Sequence, residues 1–465
     1  MLNDLVTFSQ WFFLFYFIGL NLSYMLLNFA AIVNVYNYMS EKTLANIPGI
    51  DSDVMPPVSL IVPAYNEEAT ITQSILALMQ LEYPQYEIIV INDGSNDNTL
   101  KTLKRDMKLR TFPEAYRRRL ETKPINRIYH STEYQNIRVI DKHNGGKSDA
   151  LNAGINISRY PLVCVVDADS ILQRDSLKRV VQPFMFDNRT VVSGGSVRVV
   201  NGSTVSHGYI KDAVTPKKIL PLIQVVEYLR AFLFGRLGWS PLNALLIVSG
   251  AFGVFHKETL ISVGGYMADT IGEDMELIVR IHRKLRGEGK EYRITFVPDP
   301  ICWTEAPEDL ASLAGQRIRW QRGLCESLFK NISLFMNPRA GAVGLLAFPF
   351  MFIFEWAGPI IEVFGFIMIL IGYLTDQINL DIFLLLIAVA IIFGMTLSLT
   401  ALLLEEISFH LYKKPSDLFR LFMAAVIENF GYRQMNSIFR IIGFYRWLFN
   451  VRTSWGVMKR KGADL

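Results

Sequence analysis

The sequence predicts an α/β domain inserted between membrane-spanning helices, and three observations carry that prediction. From Leu5 to Ser40 there is no charged residue, a run longer than the roughly 20 helical residues that cross a bilayer core. Between Pro56 and Asn337 short apolar runs alternate with charged, helix-like segments, which is the pattern of an α/β domain. After Arg339 the apolar character returns. The boundaries follow: an N-terminal anchor at 1–45, the α/β domain at 56–335, further membrane helices at 340–404, and interfacial helices with a basic tail at 405–465.

Bulk composition agrees. Hydrophobic residues make up 51% of the 465 positions and charged residues 19%, below the roughly 25% of an ordinary soluble chain. Disorder, collagen and a disulfide scaffold are excluded. With 47 Lys and Arg against 43 Asp and Glu, the net charge is +4, so there is no nucleic-acid footprint. Cys164, Cys302 and Cys325 lie far apart without metal-ligand spacing and suit a reducing compartment.

No Lys or Arg precedes Leu5 and no small-residue cleavage site follows the run, so a retained anchor is expected rather than a cleaved signal. Ala340–Leu374 carries only Glu355 and Glu362 as charges. As one helix it would reach roughly 52 Å, too long for one crossing, and Gly358-Pro359 is the natural break. Glu355 and Glu362 stand seven residues apart, on one helical face. They face a polar path or a partner, or Glu355 sits at the interface on a short horizontal helix.

Ile382–Leu404 is an uncharged run of 23 residues and is expected to span. The turn Thr375–Asp381 has two Asp and no Lys or Arg. Lys413, Lys414, Arg420, Arg433, Arg440, Arg446, Arg452, Lys459, Arg460 and Lys461 follow Leu404. By the positive-inside rule the tail and the central domain are cytoplasmic, giving three spans with the N-terminus outside. Leu418–Asn450, with aromatics and spaced Arg, reads as helices lying in the interface.

Within the domain, Val58–Glu68 is a β-run ending in Ala-Tyr-Asn-Glu-Glu, and Glu87–Ser95 is a second ending at Asp93. Strand, loop, helix, strand is a βαβ unit with ligand loops at the strand ends. Taken singly, Tyr65, Asn66, Glu67 and Asp93 are turn and cap residues as readily as ligands. Neither GxGxxG nor GxxxxGK[ST] occurs there, so a dinucleotide fold and a P-loop are unsupported. His143–Asn152 places a glycine pair and Lys147 at a helix start, a combination suited to phosphate oxygens or to a plain glycine turn.

Pro161–Asp169 is more telling. A buried strand runs straight into Asp167-Ala-Asp169, and two carboxylates so close repel unless a hard divalent cation lies between them and a phosphate. Glu273-Asp274 then opens an amphipathic helix, where an acid also simply complements the helix dipole. Gln316-Arg-Ile-Arg-Trp320 combines a phosphate-binding fork with an aromatic face, or serves as an interfacial anchor.

The ordered set Asp93, Asp167-Ala-Asp169, Glu273-Asp274 and Gln316-Arg-Ile-Arg-Trp320 resembles the D, DxD, ED, QxxRW signature of processive family-2 glycosyltransferases, the group of cellulose, hyaluronan, chitin and poly-N-acetylglucosamine synthases. The likeness covers residues 56–335 by motif. Two departures are visible: the usual TED reads Gly272-Glu-Asp, and no FxVT-type gating segment follows Trp320.

The resemblance implies a GT-A fold, a mixed sheet with helices on both sides. It implies that Asp169, supported by Asp167, holds Mg²⁺ or Mn²⁺ on the donor diphosphate. Tyr65, Glu67 and Asp93 match positions that grip the uridine, and Lys147 fits the diphosphate or base pocket. Asp274, beside Glu273, is the implied general base. One carboxylate without a covalent intermediate means inversion, so an α-linked donor gives a β-linkage. Trp320 floors the acceptor sugar, while Arg319 and Gln316 secure diphosphate and acceptor. Ser249–Phe255 matches an acceptor-pocket segment.

The implied protein sits in the plasma (bacterial inner) membrane. It elongates a polysaccharide from a UDP-sugar, with UDP-N-acetylglucosamine favoured over UDP-glucose, and exports the chain. An accessory membrane subunit or a homo-oligomer completes a small channel. The alternatives are single-sugar transfer to a lipid acceptor and, from another class, a receptor or scaffold with a dead transferase domain.

Overall fold

A computed structural model of the chain describes residues 2–45, 55–206, 208–375, 377 and 380–451. Arg452, Lys459, Arg460 and Lys461, counted above in the basic tail, lie outside the described residues.

The central strands are β1 (Val58–Ala64), β2 (Tyr86–Asp93), β3 (Leu109–Thr111), β4 (Ile125–Ser131), β5 (Ile137–Lys142), β6 (Leu162–Val166), β7 (Ile171–Leu172) and β8 (Thr190–Val199). A two-stranded ribbon, β9 (Thr204–Ser206) and β10 (Tyr209–Asp212), precedes β11 (Phe252–His256) and β12 (Arg293–Thr304). Apart from the ribbon they form one ten-stranded sheet in the order β3-β4-β5-β2-β1-β6-β11-β8-β12-β7. β5, β2, β1 and β6 run parallel, whereas β11 is antiparallel to both β6 and β8. The sheet is therefore mixed, as expected.

Leu60–Val62, Ile88–Ile91 and Leu162–Val166 are wholly buried. Their unbroken apolar runs are those of strands covered on both faces. The helices that accompany them are α2 (Ile71–Leu78), α3 (Thr99–Asp106), α4 (Lys147–Ile157), α5 (Ser176–Phe186), α6 (Ile219–Leu229), α7 (Lys257–Ser262), α8 (Glu273–Gly287) and α9 (Leu310–Lys330). β1 lies between β2 and β6. The crevice where the order reverses, outside the carboxyl ends of these strands, is where open α/β sheets take ligands.

The helix preceding the sheet, α1 (Leu2–Ala45), is a single element. Its first half is studded with exposed Phe, Trp and Leu, whereas Leu27, Ala31 and Val35 are buried against the domain. Asn34 donates to the carbonyl of Leu237 at 3.2 Å, and the Tyr38 hydroxyl donates to Asp299. The second half of α1 is thus packed on the α/β domain.

After the domain come α10 (Val343–Trp356, mostly π-wound), α11 (Gly358–Leu374), α12 (Leu380–Ser408), α13 (Pro415–Ile427) and α14 (Tyr432–Leu448). Trp11–Ser40 and Ala388–Ser408 are each long and apolar enough to cross a bilayer, and α10 with α11, bent by 43°, adds up to one more crossing. The bend falls at Gly358-Pro359, where proline tolerates only the first turn of a helix.

Glu355 and Glu362 both meet partners. Glu355 accepts from the Tyr24 hydroxyl at 2.5 Å and pairs with Arg440 at 3.1 Å, while Glu362 accepts from the Ser437 hydroxyl at 2.8 Å. Each acid therefore has a partner on a neighbouring helix. These acids tie α10 and α11 to α1 and α14. α13 and α14 also expose apolar side chains, including Phe419, Phe422, Ile438 and Tyr445.

A buried histidine sets an acid limit on the fold. His282 on α8 is fully buried; its Nε2 lies 2.8 Å from the Leu245 carbonyl and its Nδ1 at 2.5 Å from the Tyr292 hydroxyl. Burial pulls its pKa from 6.5 to about 4. The unfolded chain binds the proton at higher pH than the folded one. The contribution is therefore complete above pH 6.5 and lost as pH falls towards 4, on the order of 3 kcal/mol in all. Thermal midpoints followed by fluorescence from pH 7 to 4.5 are expected to fall less steeply in His282→Gln than in the parent. Identical slopes would remove His282 from the acid sensitivity.

Candidate active site

The carboxyl ends of β1, β2 and β6 deliver Tyr65-Asn-Glu67, Asp93 and Asp167 to one edge of the sheet. The first two loops are zipped together. The Asn66 amide donates to Ser95 Oγ at 3.1 Å, Asn66 Oδ1 accepts from the Asn96 amide at 2.8 Å, and the Glu67 amide donates to Thr99 Oγ1 at 2.9 Å. Tyr65 remains 47% exposed, its hydroxyl accepting from Asn96 at 3.3 Å, which leaves a ring face open for stacking. Glu67 Oε2 accepts from the Thr70 hydroxyl at 2.9 Å.

Asp93, which the resemblance assigns to the uridine, is buried beneath the glycine loop. Oδ1 accepts from Lys142 at 2.6 Å and from the Gly145 amide at 3.0 Å, and Oδ2 accepts from the Gly146 amide at 2.7 Å. Lys142 is itself held by Asp149 at 2.5 Å. Its contacts here are those of a residue that shapes the loop. Gly94 next to it has φ +66°, and a Cβ there would lie 2.7 Å from the Asn144 amide nitrogen, so no other residue fits the turn without strain.

That loop aims Lys147 at the acids. Its Nζ lies 2.7 Å from Asp167 Oδ1, 3.4 Å from Glu273 Oε1 and 3.4 Å from the Gly250 carbonyl. Burial alone would lower its pKa, but Asp167 and Glu273 outweigh it and hold the ammonium well above the ordinary lysine value. Burial pushes Glu273 upward, with Asp274 and Asp167 adding to the effect and Lys147 opposing it. Asp274 Oδ2 accepts from the Gly250 amide at 3.1 Å, and Oδ1 accepts from the Met275 amide at 2.8 Å. Asp167, Lys147, Glu273, Asp274 and the Ser249–Ala251 turn are thus one cluster, drawn from four distant stretches of sequence. Asp169 stands two residues beyond Asp167, in the turn after β6, partly buried.

Gln316, Arg319, Trp320 and Gly323 fall on one face of α9, spaced as helical neighbours. Gly323 touches Gly272, the residue before Glu273: a Cβ on either would lie 2.7 Å from the other's Cα. The Ile271 amide and Thr270 hydroxyl donate to Glu326 at 2.8 and 3.0 Å. The contact brings α9 against the start of α8, and it gives a physical reason for Gly272 where the family pattern has Thr. Gln316 is buried, with Oε1 unpaired among the described residues, and Trp320 is 49% exposed. Arg317, not Arg319, lies over the Trp320 ring at 4.4 Å, fixed by Glu227 at 2.6 Å.

Three contributors had escaped the motif reading. Lys142 ends a buried β-run, and Glu227 is the one charged residue of α6. Arg236 closes a π-wound turn, Arg230–Arg236, with its guanidinium 3.6 Å from the Phe232 ring centre. Its Nε and Nη1 are buried without a hydrogen bond among the described residues, and burial pulls its pKa to about 10 against the opposing field of Asp274. An arginine inside Ile219–Leu237, among Leu, Val and Phe, was the available signal.

A mixed sheet with this carboxylate cluster at its carboxyl edge is a GT-A-type glycosyltransferase architecture. The family model described as glycosyl transferase family 2 matches residues 59–224, and that described as glycosyl transferase family group 2 matches 162–403. The chain belongs to the family-2 glycosyltransferases. It is 30% identical over 321 residues to the poly-β-1,6-N-acetyl-D-glucosamine synthase of Staphylococcus aureus, across 68% of this chain and 66% of that one. The alignment thus spans just under two thirds of that relative. The synthase of the same name from Staphylococcus epidermidis is 26% identical over 337 residues, across 72% and 71%. Among solved structures, a mannosyltransferase of Pyrobaculum calidifontis, determined with GDP-mannose and Mn²⁺, superposes with TM-score 0.50 at 17% identity, covering 93% of this chain and 100% of that one. This last likeness concerns the fold.

Proposed function

We propose that this chain is a membrane-embedded inverting β-glycosyltransferase that elongates a polysaccharide from a UDP-sugar and exports it, with UDP-N-acetylglucosamine the favoured donor and UDP-glucose next. The observation that carries this reading is the seating of α9. Its Gln316–Trp320 face meets the acid pair through Gly272 and Gly323. Through Gln321 it also reaches Arg440, which donates to Gln321 at 2.8 Å and pairs with Glu355. The residues proposed to bind the acceptor are thus packed against the apolar helices, which supports a coupling of transfer to export. The name of the staphylococcal relatives supports the choice of sugar.

In this reading Tyr65 stacks on the base, with Glu67 and Asp93 setting the loops around it, and Lys147 faces the diphosphate. Asp274 takes the proton of the acceptor hydroxyl as its oxygen attacks the anomeric carbon. Trp320 floors the acceptor sugar, while Arg319 and Gln316 hold its approach. Asp167 and Asp169 fit Mg²⁺ or Mn²⁺: they are hard oxygen donors, and no cluster of three ligating side chains is found among the described residues, so diphosphate oxygens would complete the sphere. Such a cation supplies charge stabilisation to the leaving diphosphate. In the same reading the chain crosses the membrane three times, the bent pair α10–α11 counting as one span, with the N-terminus outside and the catalytic domain inside, and a second copy or an accessory membrane subunit completes the export path.

Asp169→Asn is expected to lower UDP release about 10²-fold or more, with only a weak response to added Mn²⁺. Retained, metal-responsive release would take Asp169 out of the metal site. The decisive experiment uses the full chain in nanodiscs with several UDP-sugars, scoring UDP release and product length. Long product from one donor supports a processive synthase. A single sugar on lipid would overturn elongation.

A further inference from the structure

We infer that a cationic cleft at the amino-terminal ends of β8 and β12 binds the phosphate of an anionic phospholipid headgroup. The cleft has a volume of about 360 Å³ and is lined by Arg189, Arg286, Lys290, Arg339, Glu291 and Tyr292, together with Gly289. It is separate from the active site. β8 and β12 run parallel to β6 through the antiparallel β11, so their starts lie at the edge of the sheet opposite Asp167.

Four cations face one acid in this lining, and their pairing is uneven. Arg189 is held by Asp187 at 2.9 Å and Lys290 by Glu288 at 2.7 Å. Among the described residues neither Arg286 nor Arg339 has a carboxylate partner. Arg286 is nevertheless oriented: its Nε donates to the Tyr292 hydroxyl at 3.2 Å, and its guanidinium lies 5.3 Å from the centre of that ring. A guanidinium fixed in place with its remaining N–H groups unspent is suited to phosphate oxygens.

Position selects the source of the phosphate. Arg339 lies in the turn Pro338–Ala340, just before α10, and Arg286 Nη1 comes within 3.7 Å of a Cβ built at Gly341. On the same stretch Phe335, Met336, Leu345 and Leu346 are exposed. Unpaired cations beside outward-facing apolar side chains, at the point where the chain leaves the domain for apolar helices, are the arrangement of a headgroup-level contact. A soluble phosphate or diphosphate has the same anion chemistry but makes no use of the apolar neighbours.

The test is the bound-lipid count of the full-length protein by native mass spectrometry, after titration with phosphatidylglycerol or phosphatidylcholine. The parent is expected to retain one more phosphatidylglycerol than Arg286→Gln/Arg339→Gln, whose affinity falls about 25-fold at roughly fivefold per cation. Arg286→Lys/Arg339→Lys is expected to recover most of the binding, and both variants to keep the parent's melting temperature and its UDP release in detergent. Equal phosphatidylglycerol counts in parent and Gln variant would overturn the site. Displacement of the lipid by millimolar inorganic phosphate would reassign it to a free anion. Neither result bears on the donor chemistry, which is read separately from UDP release.

Discussion

Asp274→Asn is expected to reduce sugar transfer by about 10²–10⁴-fold, the range that one positioned general base supplies, while donor binding changes little. The amide is isosteric, and its one oxygen still accepts from the Gly250 amide, now at 3.1 Å from Asp274 Oδ2, at the expense of the bond that Oδ1 accepts from the Met275 amide. The larger loss expected, with Asp274 as the proposed base, is the ability to take the acceptor proton. Lys147 keeps Asp167 at 2.7 Å, so the diphosphate side of the cluster stays intact. UDP release with acceptor, compared with UDP affinity by calorimetry, separates the two effects. Glu273→Gln is the companion. Glu273 faces Lys147 at 3.4 Å and its burial favours the neutral form, so its loss is expected to disturb donor binding more than turnover. If Asp274→Asn keeps more than a tenth of the parent rate and Glu273→Gln does not, the base is Glu273.

Much of this site was legible in the sequence because its residues sit where regular structure ends. Asp93 and Asp167 close buried apolar runs, Glu273 opens a helix with a clear apolar stripe, and Gln316–Trp320 is a compact motif inside one helix. Strand ends and helix starts can be read locally. Contacts between elements cannot. Nothing near Asp93 announces that its carboxylate is taken by Lys142 and two glycine amides. Their pairing depends on β2 lying beside β5, which is a property of the sheet order. Arg440 reaching Gln321 and Glu355 likewise depends on α14 packing on α9. Composition in Leu418–Asn450 suggests helices at a membrane interface but does not announce that α14 packs on α9. The break at Gly358-Pro359 was visible because proline acts through its own backbone.

The glycine contact yields the second large effect. Gly323→Ala would place a Cβ 2.7 Å from the Gly272 Cα, with the Gly272 backbone nitrogen at 2.9 Å. Both neighbours are main chain, so no side chain can rotate away and α9 must shift against the start of α8. Overpacking of this kind costs about 1–3 kcal/mol. The larger consequence is geometric, because α9 carries Arg319 and Trp320 one turn from Gly323, and Gly272 directly precedes the acid pair. If Trp320 floors the acceptor and Asp274 is the base, as proposed, a displacement of about 1 Å between them is enough for a loss on the order of 10²-fold. Gly315→Ala, eight residues earlier on the same helix, is the control. A Cβ there meets nothing within 4 Å, so that variant is expected to gain about 0.5–1 kcal/mol from helix propensity with an unchanged rate. Parallel melting curves and UDP-release rates for the two variants decide it. Similar activity in both would mean that the Gly272–Gly323 contact does not set the register between the acid pair and the acceptor helix.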